Sequence, residues 1–191
     1  MRLQVEDATD ESLMVQVAEG NKGAFRQLTL RHGMRYRALA YRFLGDMARA
    51  EDLVQDAFVK LWTNADSFNA GKAKFTTWFH RVVVNRCLDE KRKKTIEQLP
   101  ENFDQVDQTA SVEVLLEKDA VGKRLSRALD ALSERQQTAV KLSYFDELSN
   151  QEAADVMGLK LKAFESLLVR SRTKMRQVLA AEKTDLLSAL G

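Results

Sequence analysis

Between Ala50 and Trp62 the apolar residues Leu53, Val54, Ala57, Phe58 and Leu61 recur at i, i+1, i+4, i+5 and i+8, a spacing that only a helix can turn into one stripe. Asp52, Gln55, Asp56 and Lys60 fall on the other side of that helix. Polar groups opposite a core stripe are usually no more than a solvated surface. Here an aromatic and basic helix follows directly, and a helix-turn-helix pattern lies far downstream, so the polar side has a second candidate role.

The remaining chain punctuates itself as helices. Asp10 is a candidate N-cap for a first helix over Glu11–Glu19, with Leu13, Val15 and Val17 partly buried and Gly20 ending it. Asn21 caps a longer helix through Phe43, with Phe25, Leu28, Tyr36, Ala40 and Phe43 as core candidates. Gly45 closes it, and Asp46 caps the Ala50–Trp62 helix. After a polar loop, Thr63 to Lys74, the spacing predicts a helix over Phe75–Lys93. Its inward row is Phe75, Phe79, Val83 and Cys87, flanked by Val82, and Trp78, Arg81, Asn85, Leu88 and Arg92 lie roughly opposite. His32 and His80 sit in no pattern, which makes surface placement the default, whereas Cys87 reads as a small core residue.

Residues 96–118 hold the only proline, Pro100, and show no sustained period, so they read as a flexible linker that splits the chain. Beyond it, a helix is expected over Ala120–Leu132. Ser133-Glu-Arg-Gln136 and Ser149-Asn-Gln-Glu152 are capping boxes that open two more. The first of these carries Ala139, Val140, Leu142 and Tyr144; the second is short and ends at Gly158. A basic helix over Leu161–Leu179 follows, with Leu161, Phe164, Leu168, Ser171, Met175 and Val178 inward. Short helix, glycine turn and longer basic helix together make a helix-turn-helix; the plain alternative is a helical hairpin with a basic outer face. The expected fold class is therefore all-α, with helical domains at 1–95 and 119–191.

Charge distribution narrows the partners. Net charge is only +2, but Lys72–Lys94 carries eight basic residues against Asp89 and Glu90. Thr95–Lys118 is acidic, and Lys160–Lys183 is basic again. Two basic blocks around an acidic spacer suit two nucleic-acid-facing domains on a tether. An indole, an amide and guanidinium groups side by side suit base stacking and phosphate contact. No apolar run approaches the roughly 18 residues of a membrane span, and no export signal is visible. A lone cysteine fits a reducing cytosol, and no zinc-ligand spacing, nucleophile–base set or phosphate-cradling glycine loop is present, so no metal, cofactor or enzymatic role is expected.

The Glu51-Asp-Leu-Val-Gln-Asp-Ala-Phe-Val-Lys-Leu-Trp62 helix, the Thr-Trp-Phe-His-Arg-Val-Val-Val-Asn run ending at Asn85, and the C-terminal helix-turn-helix come in this order along nearly the whole chain. In this the sequence resembles an extracytoplasmic-function sigma factor. The resemblance implies a cytoplasmic protein whose sigma region two and region four are joined by the acidic spacer. It implies docking on the clamp coiled coil of the largest subunit of core RNA polymerase through Asp52, Gln55, Asp56 and Phe58. It implies opening of the minus-ten promoter element, with a flipped base in a pocket of the Asp66-Ser-Phe-Asn-Ala70 loop walled by Phe68 and Asn85. Asn69, Lys72, Lys74, Trp78, Arg81, Arg86 and Arg92 complete that DNA-binding set. Lys160, Lys162, Glu165, Ser166, Arg170 and Arg172 would meet promoter DNA at the minus-35 element. Glu165 and Leu167 stand where the family commonly has a cation, which leaves the promoter sequence open. An anti-sigma factor, itself able to carry zinc, is the implied regulator. The competing reading is a two-domain helix-turn-helix regulator that never enters polymerase.

Overall fold

Three glycines in the left-handed region mark where helices stop. Gly20, Gly45 and Gly158 have φ of 84°, 70° and 63°, a conformation in which a side chain would crowd the backbone. The computed structural model describes the backbone of residues 8–97, 120–146 and 148–188. Among them every regular element is helical: α1 (Asp10–Ala18), α2 (Lys22–Leu44), α3 (Met47–Thr63), a single 3-10 turn (Ala65–Ser67), α4 (Phe75–Glu97), α5 (Ala120–Asp130), α6 (Glu134–Tyr144), α7 (Asn150–Val156) and α8 (Leu161–Ser188). The chain divides into two compact units, residues 1–97 and 98–191. The linker expected at 96–118 falls almost wholly outside the described residues. No described helix is long and apolar enough to cross a membrane.

In the N-terminal unit α2 is the central strut, packed against α1, α3 and α4. Asn21 caps it by accepting from the N–H groups of Gly23 and Ala24, and Asp46 caps α3 by accepting from that of Arg49. The Leu53, Val54, Ala57, Phe58 and Leu61 stripe is buried as its period requires, and Phe75, Phe79, Val83 and Cys87 are all fully buried. Val84, not Val82, completes that row.

Three expectations fail here for identifiable reasons. The N-cap of α1 is Thr9, whose hydroxyl accepts from Ser12 N–H. Asp10 instead bonds Arg31 Nη1 at 3.1 Å and lies 2.7 Å from His32 Nε2. Val15 is 53% exposed, and Met14 takes the core place assigned to it. Both histidines are buried. Asp10 meets His32 and Tyr36 meets His80 from far off in the sequence, partners that a local pattern does not show. His80 Nδ1 lies 2.8 Å from Thr76 O and so carries the proton, and the Tyr36 hydroxyl lies 3.1 Å from the same nitrogen. Its Nε2 is buried without a hydrogen-bond partner. Burial pushes the His80 pKa down to about 4, with Arg35, His32 and Arg42 adding to the effect and the Thr76 bond opposing it.

In the C-terminal unit α8 packs against α5, α6 and α7. Both expected capping boxes form: Ser133 with Gln136, and Ser149 with Glu152. Phe164, Leu168 and Ser171 are buried on α8, and Leu161, Met175 and Val178 are half-buried. Ser171 satisfies its buried hydroxyl by donating to Leu167 O at 2.8 Å. Leu167 is 9% exposed and belongs to the core, which explains why no cation stands there.

Candidate nucleic-acid interface

Each residue of an α-helix turns about 100° from the last. Trp78, Arg81, Asn85, Leu88 and Arg92 therefore share one side of α4, with Lys74 just ahead of the first turn. Arg81, Asn85, Arg92 and Lys74 are exposed, whereas Trp78 and Leu88 are half-buried. The first turn of α4 is held from a distance: Phe75 N–H donates to Glu11 Oε1 at 2.9 Å. That carboxylate satisfies one of the orphan donors of a helix start and favours the positive end of its dipole. Sequence reasoning missed it because the two residues are far apart in the chain.

Trp78 is not simply outward. Its ring meets Phe68 edge-on at 5.5 Å and reaches Phe79 at 6.1 Å and Phe75 at 6.4 Å. From there an aromatic file runs inward through Phe79 to Phe58 at 4.8 Å and Tyr36 at 4.7 Å. Trp78 and Phe68 are thus the half-exposed lip of a rigid aromatic core, on which a base could stack without the ring having to be ordered first. The loop behind the lip is fixed by its own polar groups. Asn69 Oδ1 accepts from Gly71 N–H at 2.9 Å, and Ser67 Oγ donates to Asn64 O at 2.7 Å. Asn69 therefore shapes the loop with the oxygen it would need for reading a base. Lys72 is exposed beside it.

Arg86 does not join this face. It lies one residue beyond Asn85, about 100° around the helix, and points toward α3. There its Nη2 donates to Asp56 Oδ2 at 2.9 Å. Together with Arg49, Asp52, Leu53, Lys60, Asp89, Glu90 and Lys93 the pair lines a groove between α3 and α4. Arg49 bonds Glu90 across the same groove at 2.7 Å. On the outer side of α3, Asp52, Gln55 and Asp56 are exposed together. Phe58 is 5% exposed and sits among Phe25 and Phe79, so it shapes α3 from beneath and is not an anchor for a partner.

On α8, Lys162, Glu165, Ser166 and Arg170 are exposed along the N-terminal half, next to exposed Lys160. Val169, 58% exposed, sits among them and was not singled out in the sequence. An exposed apolar group on such a face suits a thymine methyl. Arg172 lies two turns beyond Glu165 and within about 20° of it around the helix, but its guanidinium is drawn to Tyr144, 5.3 Å from the ring centre. That position suits a phosphate rather than a base edge. Among the described residues no three His, Cys, Asp or Glu side chains converge as a metal would require.

Known proteins share this layout. The family described as Sigma-70 region 2 matches residues 28–96, and that described as Sigma-70, region 4 matches residues 122–175. RNA polymerase sigma factor CnrH of Cupriavidus metallidurans is 31% identical over 187 residues, covering 93% of this chain and 97% of its own length. ECF RNA polymerase sigma factor SigE of Mycolicibacterium smegmatis is 31% identical over 163 residues, 83% of this chain. The chain spans only 63% of that relative. Among solved structures, CnrH in complex with the cytosolic domain of CnrY aligns with a TM-score of 0.66 at 30% identity, over 90% of this chain and 97% of that one. The sigma factor RpoE in complex with the anti-sigma factor NepR, from Bartonella quintana, aligns with a TM-score of 0.60 at 25% identity, over 82% and 96%. Helical order, matched regions and identity over nearly full length agree, and the chain belongs to the extracytoplasmic-function sigma factors.

Proposed function

We propose that this protein is a dissociable, cytoplasmic promoter-specificity subunit of bacterial RNA polymerase, without catalysis of its own. Residues 1–95 bind core enzyme and melt the minus-ten element, and residues 119–191 read the minus-35 element. The observation that carries the reading is the Phe68–Trp78 lip, 5.5 Å between rings, on the same helix face as Arg81 and Asn85. A fixed aromatic edge beside cations and an amide offers what an unpaired base needs: stacking, phosphate neutralisation and hydrogen bonding. Asp52, Gln55 and Asp56, exposed along α3, give the polymerase clamp an acidic ridge that suits a basic helical partner.

On α8, Lys160, Lys162, Glu165, Ser166 and Arg170 take base edges and nearby phosphates in the major groove, and Arg172 takes a phosphate. The anti-sigma complex recorded for RpoE of Bartonella quintana supports an anti-sigma factor as the regulator here. Such a partner competes with core polymerase, so a stable complex of all three proteins would count against this arrangement. The experiment that tests the function is transcription with purified core enzyme on promoters selected by the reconstituted holoenzyme. Specific transcripts should appear only when this chain is added. Promoter binding by the chain without any effect on initiation by core would favour a regulator that does not enter polymerase.

A further inference from the structure

Helix α2 carries six basic residues, Lys22, Arg26, Arg31, Arg35, Arg37 and Arg42, and no carboxylate. Its solvent side also holds Leu30 and Met34, 73% and 77% exposed, the two most exposed large apolar side chains among the described residues. They stand one turn apart, and exposed Ala38 extends the row by another turn. Arg26 precedes Leu30 by one turn and Arg37 follows Met34 by nearly one, so cations stand at both ends of the row. Arg31 and Arg35 run along one flank. Two of these cations are fixed in place by the fold: Arg31 bonds Asp10 at 3.1 Å, and Arg37 bonds Glu51 at 3.0 Å. Arg26 and Arg35 are exposed.

An apolar row framed by arginines is the complement of one particular surface. We infer that the outward face of α2 is a docking site for an acidic amphipathic helix of a protein partner, whose own apolar row covers Leu30 and Met34 while its Asp and Glu side chains meet the flanking arginines. Duplex or single-stranded nucleic acid fits less well. Its phosphates would want cations in the centre of the face, where two unsatisfied apolar side chains stand. A membrane surface fits less well too, because interfacial helices bury a long apolar stripe and here the rest of that stripe already faces the protein core. This inference does not depend on the sigma-factor reading. The face lies opposite the core of α2 and is formed by none of the residues assigned to polymerase or promoter contact.

The test uses the full chain and a fluorescein-labelled helical peptide of 18 or so residues, leucines at i, i+4 and i+7 flanked by glutamates. Anisotropy titrations at physiological salt should show saturable binding. Leu30→Asp with Met34→Asp should weaken it about tenfold or more, and so should Arg26→Glu with Arg35→Glu, since both the apolar centre and the charged rim are required. The same peptide with lysines for glutamates should not bind. All four positions are exposed, and far-UV circular dichroism checks that the variants remain folded. Absence of binding, or binding indifferent to Leu30 and Met34, overturns the proposal. So does loss, through the Leu30 and Met34 changes, of binding to a labelled DNA duplex or to phosphatidylserine-containing vesicles where the peptide itself does not bind.

Discussion

Asp56 Oδ2 accepts a hydrogen bond from Arg86 Nη2 at 2.9 Å, which ties the helix assigned to polymerase directly to the helix assigned to promoter DNA. The guanidinium is the more buried partner, with 21% of its side chain exposed against 71% for the carboxylate. A pair this wet contributes little to folding, within about 1 kcal/mol. Asp56→Ala should therefore barely move the melting temperature while weakening core binding, because it removes an exposed acid from the docking ridge. Arg86→Ala should be the more destabilising of the two, through lost packing in the groove. Thermal unfolding and competition for core enzyme, run on both variants, separate these effects.

His80 makes stability depend on pH. Its folded-state pKa is lowered from 6.5 to about 4, so over that interval the unfolded chain takes up a proton that the folded chain refuses. Its contribution is complete above pH 6.5 and is lost as pH falls toward 4, by about 3 kcal/mol at most. Trp62 and Trp78, the only tryptophans, both lie in the N-terminal unit, so their fluorescence follows the unfolding of that unit alone. The wild-type unfolding free energy should decline between pH 6.5 and 5, and His80→Phe should flatten that decline. Equal slopes would show that His80 does not report the loss.

Glu11 should matter to α4 out of proportion to its place on a short helix. Its 2.9 Å bond to Phe75 N–H caps the turn from which Trp78 projects. Glu11→Ala should cost about 1 kcal/mol, and Glu11→Gln less, since the amide can still accept. Urea unfolding followed by tryptophan fluorescence measures both.

Tyr144 holds Arg172 beside the groove face of α8. Tyr144→Phe keeps the ring and should leave promoter affinity near wild type. Tyr144→Ala should lower it roughly two- to fivefold, in line with an exposed cation–π contact. The loss should be the same for matched and mismatched minus-35 sequences, because the guanidinium serves a phosphate. Holoenzyme binding to both promoter types reads this out. A loss confined to one sequence would mean that Arg172 touches bases.

Helix identity and the inward rows were legible because they follow local rules. The caps at Asn21, Asp46, Ser133 and Ser149 and the stop at Gly158 are short-range chemistry, and the Phe75–Cys87 row follows from helical period. Failures came where a partner distant in sequence decides the outcome. Asp10 left its expected capping role for Arg31 and His32, His80 went inside to Tyr36, and Arg86 turned from the Asn85 face toward Asp56. The cationic, apolar-centred face of α2 escaped for another reason. Its arginines are spread over more than four turns and never form a run, so charge counted in blocks passes over them.

Promoter melting is the sharpest test of the role of the α4 face. Holoenzyme carrying Asn85→Ala and Trp78→Ala should be compared with wild type by permanganate reactivity of minus-ten thymines on a cognate promoter, with core binding measured in parallel. Loss of a stacking partner costs about 1–3 kcal/mol per base, so open complexes should fall about tenfold or more while the variant still assembles with core. Undiminished reactivity in an assembled holoenzyme would contradict the claim that this face holds the melted strand.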